Sequence, residues 1–509
     1  MKHNYKILLK FMVAGLMFSG CSKYLDVNTD PNRATDANIT PELIFTQAEM
    51  AVGGRQASGD FLFLDHWVGY SGQNGTFAPQ QNEITYNIDN NFADPIWTSH
   101  YNVLFDLYQA QVKALAENND AIAGASMVLS AKLWQELVDL YNDIPYSQAF
   151  NVNQYPTPVF DKAQSVYTAL QGKLDSAIVY LGNAAPKSFG AADIINHGNL
   201  GLWIKFANTM KLRLLVHQSQ VSGFDPSAEI TKIVNTGGPL GAGESISVNP
   251  GFVNDVNKQN TFYSNFGWTP TGVVATSSDN ANDFIVTQLG ADADPRLGRF
   301  FYPVGFSGNS FAGAKYGDDV GNIPTAAGLS YFGPGLVGGI NSSNAGDGTG
   351  AVQNQWIMPS FESLFLVAEA TARGWYPGVD SNAYKAAVTE SFVWLGVPNA
   401  DSAAAAYMVN NADANFTASA GATPTSKATF IVYQKYLSLT LIDPLEAYAD
   451  IRRIPAAVPT GYISIAPGNS HTTLPLRLPY AQSEYTTNST NALAEGTINI
   501  YSSKIFWEP

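Results

Sequence analysis

The chain has 509 residues, and its 27 basic against 42 acidic side chains give a formal net charge of -15 with only 14% charged residues overall. Nothing in it is basic enough to track a phosphate backbone, which excludes nucleic acid as a partner, and no apolar run reaches the roughly eighteen residues that a membrane-spanning helix needs. A hydrophobic fraction of 45% suffices for a large core, and 25 Tyr, 28 Phe and 9 Trp make the chain rich in aromatic rings.

At the N-terminus Lys2, Lys6 and Lys10 precede the short apolar run 11–18, which is the layout of a secretory signal peptide. Ser19 and Gly20 lead into Cys21, the only cysteine. A lone cysteine after an apolar run and a small residue resembles a bacterial lipobox. The expectation is a lipoprotein signal over 1–20, removed to leave Cys21 acylated; the alternative is a plain signal peptide with a free thiol. More than one acyl chain makes anchoring effectively stable. Residues 21–40, polar and rich in Asn and Asp, read as a tether, and 41–509 as one domain.

Thr40-Pro41 opens a helix, Thr as N-cap and Pro at the first position. Residues 59–92 lack helical periodicity and carry Trp67, Tyr70, Asn74 and Phe77 among glycines. From Asp94 the residues Trp97, Tyr101, Leu104, Tyr108, Val112 and Leu115 mark one apolar face of a long helix; on such a stripe Trp97 reads as core rather than as a sugar platform. Leu129, Leu133, Leu137 and Leu140 mark another amphipathic helix. It is stopped by Asn142-Asp143 and by Pro145, which forces Ile144 out of helical geometry. Helical spacing recurs at 166–181 and 199–218, where Lys205, Lys211 and Arg213 are expected to meet acids on neighbouring helices. Residues 237–355 are dominated by Gly, Asn, Ser and Pro, with aromatic islands that include Tyr263, Trp268, Tyr316 and Tyr331. An irregular stretch this long inside a compact protein is usually functional or disordered, and the scattered rings argue against disorder. Helices return at 360–373, 384–395 and 430–453, the last broken or kinked at Pro444. Glu446, Asp450 and Arg453 are spaced for local ion pairs.

Signs of chemistry are sparse. The six His are dispersed, no pair has the spacing of a helical zinc site, and no Gly-x-Ser-x-Gly elbow occurs. Gly333, Gly335 and Gly338 fit G-x-G-x-x-G, but without the flanking strand and helix the match reads as chance. Asp292 and Asp294 begin like a calcium loop, yet Leu297 occupies the position that needs Gly. No cofactor is implied. A pair of carboxylates of the kind glycosidases use could lie anywhere among 42 acids.

Six phrases resemble one family: L-D-V-N-T-D-P-N at 25–32, D-L-Y-N-D-I-P-Y at 139–146, W-I-K-F-A-N-T-M-K-L-R-L at 203–214, D-P-R-L at 294–297, and Y-Q-K-Y-L-S-L with E-A-Y-A-D-I-R-R between 433 and 453. Arg477, Tyr480, Glu484 and Asn488 follow in order near the C-terminus. Together they resemble the SusD/RagB-like outer-membrane lipoproteins, with Asn142 where that family usually has Gly. The resemblance implies a mostly α fold with tetratricopeptide-like helix pairs and a loop-rich insertion over 237–356 carrying few short strands. It implies a surface lipoprotein held in the outer membrane through Cys21. Such a protein captures glycans, sometimes peptides, for a SusC-like TonB-dependent transporter that it caps as a lid, with no catalysis. The other readings are an exported glycan hydrolase, which would release oligosaccharide, and a structural or adhesin surface protein, which would show no saturable sugar binding. Aromatic and amide residues in the Gly-rich loops are the expected ligand contacts: Trp67, Tyr70, Asn74, Tyr263, Trp268 and Tyr331. Exposed rings there would stack on sugar C–H faces while amides bond the hydroxyls.

Overall fold

The computed structural model describes residues 39–57, 59–92, 94–185 and 189–509. The expected signal peptide, Cys21 and nearly all of the tether lie outside the described residues. The scaffold opens with α1 (Pro41–Gln56), whose N-cap Thr40 accepts from the Leu43 amide with Pro41 in the first turn. It continues through α2 (Asp94–Ala116), α3 (Asp120–Tyr141), α4 (Ala163–Asn183), α5 (Leu200–His217) and α6 (Ser227–Asn235). Each of α1 to α5 packs on the next, as the tetratricopeptide-like reading expects.

Helix α3 is the axis of this array. Leucine spacing suggested one buried face, but every residue from Ala121 to Tyr141 is buried. Its charged groups tolerate this because they pair with one another and with neighbouring helices. Lys132 pairs with Glu136, which also takes His100 Nε2 at 3.0 Å, and Asp139 accepts from Gln135 Nε2 at 3.1 Å and Trp507 Nε1 at 2.9 Å. The helix stops at Asn142, whose φ is +65°. The following Ile144 forms an antiparallel bridge with Asp161. Asp161 in turn accepts from the Tyr146 and Ser147 amides at 3.0 and 2.7 Å.

On α2 the sequence stripe splits. Trp97 and Leu104 are buried, but the helix turns Leu107, Ala110 and Ala114 to the core, leaving Tyr108 38% and Val112 43% exposed. The buried positions Trp97, His100, Leu104, Leu107 and Ala114 follow a seven-residue repeat, which slips by about 20° per heptad against the 3.6-residue stripe of the sequence.

The second half brings α7 (Asp283–Ala291), α8 (Ser360–Ala372), α9 (Asp380–Trp394), α10 (Ala400–Asn410), α11 (Pro424–Ser438) and α12 (Pro444–Arg453). The break at Pro444 is complete: Asp443 caps α12 by accepting from the Glu446 amide at 3.0 Å, and Pro444 sits in its first turn. Glu446 and Asp450 reach further than local pairing suggested. Arg213 of α5 meets Glu446 at 2.5 Å, Lys435 of α11 pairs with both acids, and Arg453 bridges Asp450 and Glu369 of α8 at 2.7 Å each. Lys205 and Lys211 likewise find acids, Glu244 at 2.6 Å and Glu229 at 2.8 Å. In D-P-R-L, Asp294 is no calcium ligand. Its carboxylate clamps Arg296, whose guanidinium also donates to Ser438 and Gln434 and lies over the Phe392 and Tyr407 rings.

The stretch 237–356 is ordered by short pieces. Strand β1 (Ser71–Gln73) pairs antiparallel with β3 (Asp279–Ala281), and β2 (Ile246–Val248) with β4 (Gln355–Met358). Among the described residues these two ribbons stay separate.

Candidate functional site

The segment 59–92 builds a cleft from the ribbon outward. Asn74 donates through Nδ2 to the Ser277 and Ser278 carbonyls at 2.8 and 2.9 Å, fixing the end of β1 against the chain that leads into β3. Gly75 follows because a Cβ there would lie 2.0 Å from the Ile323 carbonyl oxygen. His66, at the end of a short helix over Leu62–Trp67, is held between two carboxylates, Glu83 at 2.6 Å on Nδ1 and Asp279 at 3.1 Å on Nε2. Burial opposes charge on this ring, but Glu83 and Asp279 outweigh it and push the imidazolium up to about 10. The clamp ties three segments together: the short helix, the turn at 83 and strand β3.

Around it opens a cleft of about 550 Å³. Its polar rim consists of Asp60, Gln73, Gln80, Asn82, Asp89 and Asn91, and its apolar wall of Phe63 and Phe92. Asp89 caps its own turn, accepting from the Asn91 and Phe92 amides at 3.0 and 3.1 Å, which sets the Phe92 ring at the wall. A smaller crevice shares His66, Gln73 and Glu83 with the cleft and adds Phe77, which is 37% exposed, and Lys315. On the far side of the turn at 85–90, a further cleft of about 520 Å³ is lined by His471 and Tyr501, stacked 3.6 Å apart. Apart from the clamped His66, the larger cleft has no cationic side chain in its lining, so it offers acceptors and amides to hydroxyl groups and disfavours anions.

The six expected contact residues are not on this surface. Trp67, Tyr70, Asn74, Tyr263 and Trp268 are at most 1% exposed and Tyr331 is 7% exposed, so the expectation of bare rings is corrected. Two reasons emerge. Tyr70 and Tyr331 spend their hydroxyls inside, donating to the Tyr436 carbonyl at 2.6 Å and the Gly267 carbonyl at 3.1 Å. The glycines, moreover, do not expose the rings but lie flat on them: a Cβ on Gly346 would meet the Tyr263 hydroxyl at 2.4 Å and the Trp268 ring at 2.7 Å. Trp67 comes nearest to the expected role. It stacks behind Phe92, interplanar angle 3°, and so backs the cleft wall without lining it. The residues that do line it, Gln80, Asn82, Asp89, Asn91 and Phe92, left one sequence trace, the run N-I-D-N-N-F at 87–92.

The mostly helical scaffold, with its short two-stranded ribbons, is shared with solved SusD/RagB structures. A SusD/RagB family protein from Bacteroides thetaiotaomicron is similar over 92% of this chain and 99% of its own, with a TM-score of 0.72 at 20% identity. A SusD homolog from Bacteroides fragilis gives 0.71 at 20% identity over 92% and 100%, and a chitin-binding SusD homolog from Flavobacterium johnsoniae 0.71 at 22% over 91% and 97%. No functionally curated protein matches the chain. Residues 31–481 match the SusD-like family described as starch-binding and associating with the outer membrane, and the chain belongs to that family.

Proposed function

We propose that this protein is a lipoprotein anchored to the outer membrane through Cys21 that binds a neutral glycan at the cell surface and passes it, uncut, to a SusC-like TonB-dependent transporter. The observation that carries this reading is the cleft beside His66: an open, acid- and amide-rimmed surface with the Phe63 and Phe92 rings in its wall. Sugar hydroxyls find acceptors and donors there, and C–H faces find an aromatic wall. The starch in the family's description and the chitin of the Flavobacterium homolog are both neutral polymers of this kind. Asp65 and Glu362, both pushed up to about 8 by burial, are core residues out of reach of a polymer, so neither serves it as a general acid. A protein partner is supported by α2, whose outward edge presents Asn102, Phe105, Tyr108, Val112 and Ala116 without a charge among them, the depletion typical of interface cores.

Affinity electrophoresis in soluble starch and in glycol chitin tests the site. Replacing Gln80 and Asn91 together by Ala should weaken retardation by about tenfold or more, the loss of two hydrogen bonds at about 1 kcal/mol each. Unchanged retardation moves the site elsewhere, and a shortened polymer after incubation removes the non-catalytic reading. Co-purification with the transporter should be lost in Phe105→Glu with Tyr108→Glu.

A further inference from the structure

A cleft of about 890 Å³ shares no lining residue with the one beside His66. It runs between α11 and the segment that follows α12, and its size falls in the range of about 300–1,000 Å³ usual for small-molecule sites. On its helix side Phe430 and Tyr433 stand one turn apart, both half-buried. Phe430 is anchored from behind by the Tyr384 and Phe416 rings, at 5.6 and 5.9 Å. No ring among the described residues packs on Tyr433. Its hydroxyl instead donates to Gln288 Oε1 at 2.9 Å, which holds both groups at the cleft wall. The opposite wall, 455–460, carries Pro455 and Pro459 and is correspondingly stiff.

The polar residues lining this space are Ser419, Ser426, Thr429 and Thr460, with Gln288 and Asp413. The position of Asp413 is set by its own carbonyl, which accepts from Gln434 Nε2 at 2.8 Å. Neither Lys nor Arg lines the cleft. Nearby Asp292, close enough to Asp413 for the two charges to repel, has a buried oxygen, Oδ2, without a hydrogen-bond partner. The site therefore offers acceptors in surplus and an aromatic wall, and it repels anions.

From the Tyr433 ring on which no other ring stacks, the anchored Phe430 and the hydroxyl, amide and carboxylate residues of the rim, we infer that the α11 cleft is a second saccharide-binding site, for neutral or amino sugars and against uronic acids. The inference rests on the glycan reading above and deepens it to two sites. The back of the same helix is bolted to the first cleft's side of the molecule: Tyr436 donates to the Val68 carbonyl and Tyr70 to the Tyr436 carbonyl, both at 2.6 Å. One long polymer held at both clefts binds with an effective local concentration, and removing either site lowers its apparent affinity by about a hundredfold. A short oligosaccharide fills the two sites independently.

Isothermal titration of the full chain with maltoheptaose and with chitohexaose, and with tetragalacturonate as the acidic control, tests this. The wild type should show two sites for at least one neutral sugar and none for the acidic one. Tyr433→Ala and Asp413→Asn should each leave one, their folding checked by thermal melting, and Tyr433→Phe should keep both. One site that Gln80→Ala with Asn91→Ala removes, and Tyr433→Ala does not, overturns the second cleft and leaves the first standing. One site that only Tyr433→Ala removes upholds this cleft and takes the first away. No heat with either neutral sugar, or saturable binding of tetragalacturonate that Tyr433→Ala abolishes, overturns the inference.

Discussion

At Asn142 the backbone takes φ +65° and ψ -110°, a region suited to glycine, and the family resemblance leads one to expect Gly there. The side chain explains the departure. Asn142 Oδ1 accepts from the Phe506 amide at 2.8 Å and Nδ2 donates to Asp143 at 2.9 Å, tying the C-terminal segment to the end of α3. Glycine would relieve strain of about 1 kcal/mol and lose bonds of about that size, so Asn142→Gly should be close to neutral. Asn142→Ala keeps the strain and loses the bonds. It should cost about 1 kcal/mol, read as the shift in urea midpoint at unchanged slope; equal effects of Ala and Gly would remove the argument. His66 shows the reverse case. Its two carboxylates are supplied 17 and 213 residues away, so nothing in the spacing of histidines could reveal the clamp. The cleft rim was not legible for the same reason: the chain marks 59–92 only as irregular, and which rings would face outward depended on glycines that close over Tyr263 and Trp268 from a distant loop.

Elements with a sharp start or stop read correctly from the chain, since a cap is local chemistry. The Thr40-Pro41 entry, the Asn142–Pro145 stop and the Pro444 break are all of this kind. Helix α10, with five Ala in eleven residues, and α6 and α7, with nine residues each, are too short or too even for a periodic stripe to mark them in the chain. Where α3 and α2 departed from their stripes, tertiary packing decided which faces are covered. The loop between α3 and α4 carries a testable consequence. Asp161 holds it through three bonds, from the Tyr146 amide at 3.0 Å, the Ser147 amide at 2.7 Å and the Ser147 hydroxyl at 2.8 Å. Asp161→Ala leaves two amides to find water. The expected loss is about 2 kcal/mol, the scale for bonds to a charged acceptor at a partly exposed site. Hydrogen exchange should quicken at Tyr146 and Ser147 while α3 stays protected. Faster exchange along α3 itself would mean that the bridge supports the helix and not merely the turn.

Across the whole molecule, ionic groups are buried between helices, and their titration sets a direction for stability. His66 is raised to about 10 and His217 to about 9, in each case because adjacent carboxylates, Glu83 and Asp279 for one and Glu446 and Asp139 for the other, outweigh burial. A group raised in the folded state contributes fully below its unfolded value, 6.5 for His, and the contribution fades as pH climbs to the folded one. Asp65, raised by burial from 3.8 to about 8, acts in the same direction: the folded protein keeps a proton that the unfolded chain releases. On the acid side Glu369 is lowered from 4.5 to about 2, since Arg453 and Arg373 overcome its burial, and its contribution is lost as pH falls through that window. The Glu369 contribution is complete above about pH 4.5, while the Asp65 effect runs on to about pH 8 and those of the two histidines to about pH 9 and 10, so the melting temperature is expected to fall steadily from pH 7 to 10. His66→Gln should cost stability at pH 6, because Glu83 and Asp279 then face each other without a cation, and should flatten the alkaline arm. A melting temperature constant up to pH 10 in the wild type would mean that both rings are neutral in the folded protein. The clamp beneath the cleft would then hold by hydrogen bonds alone.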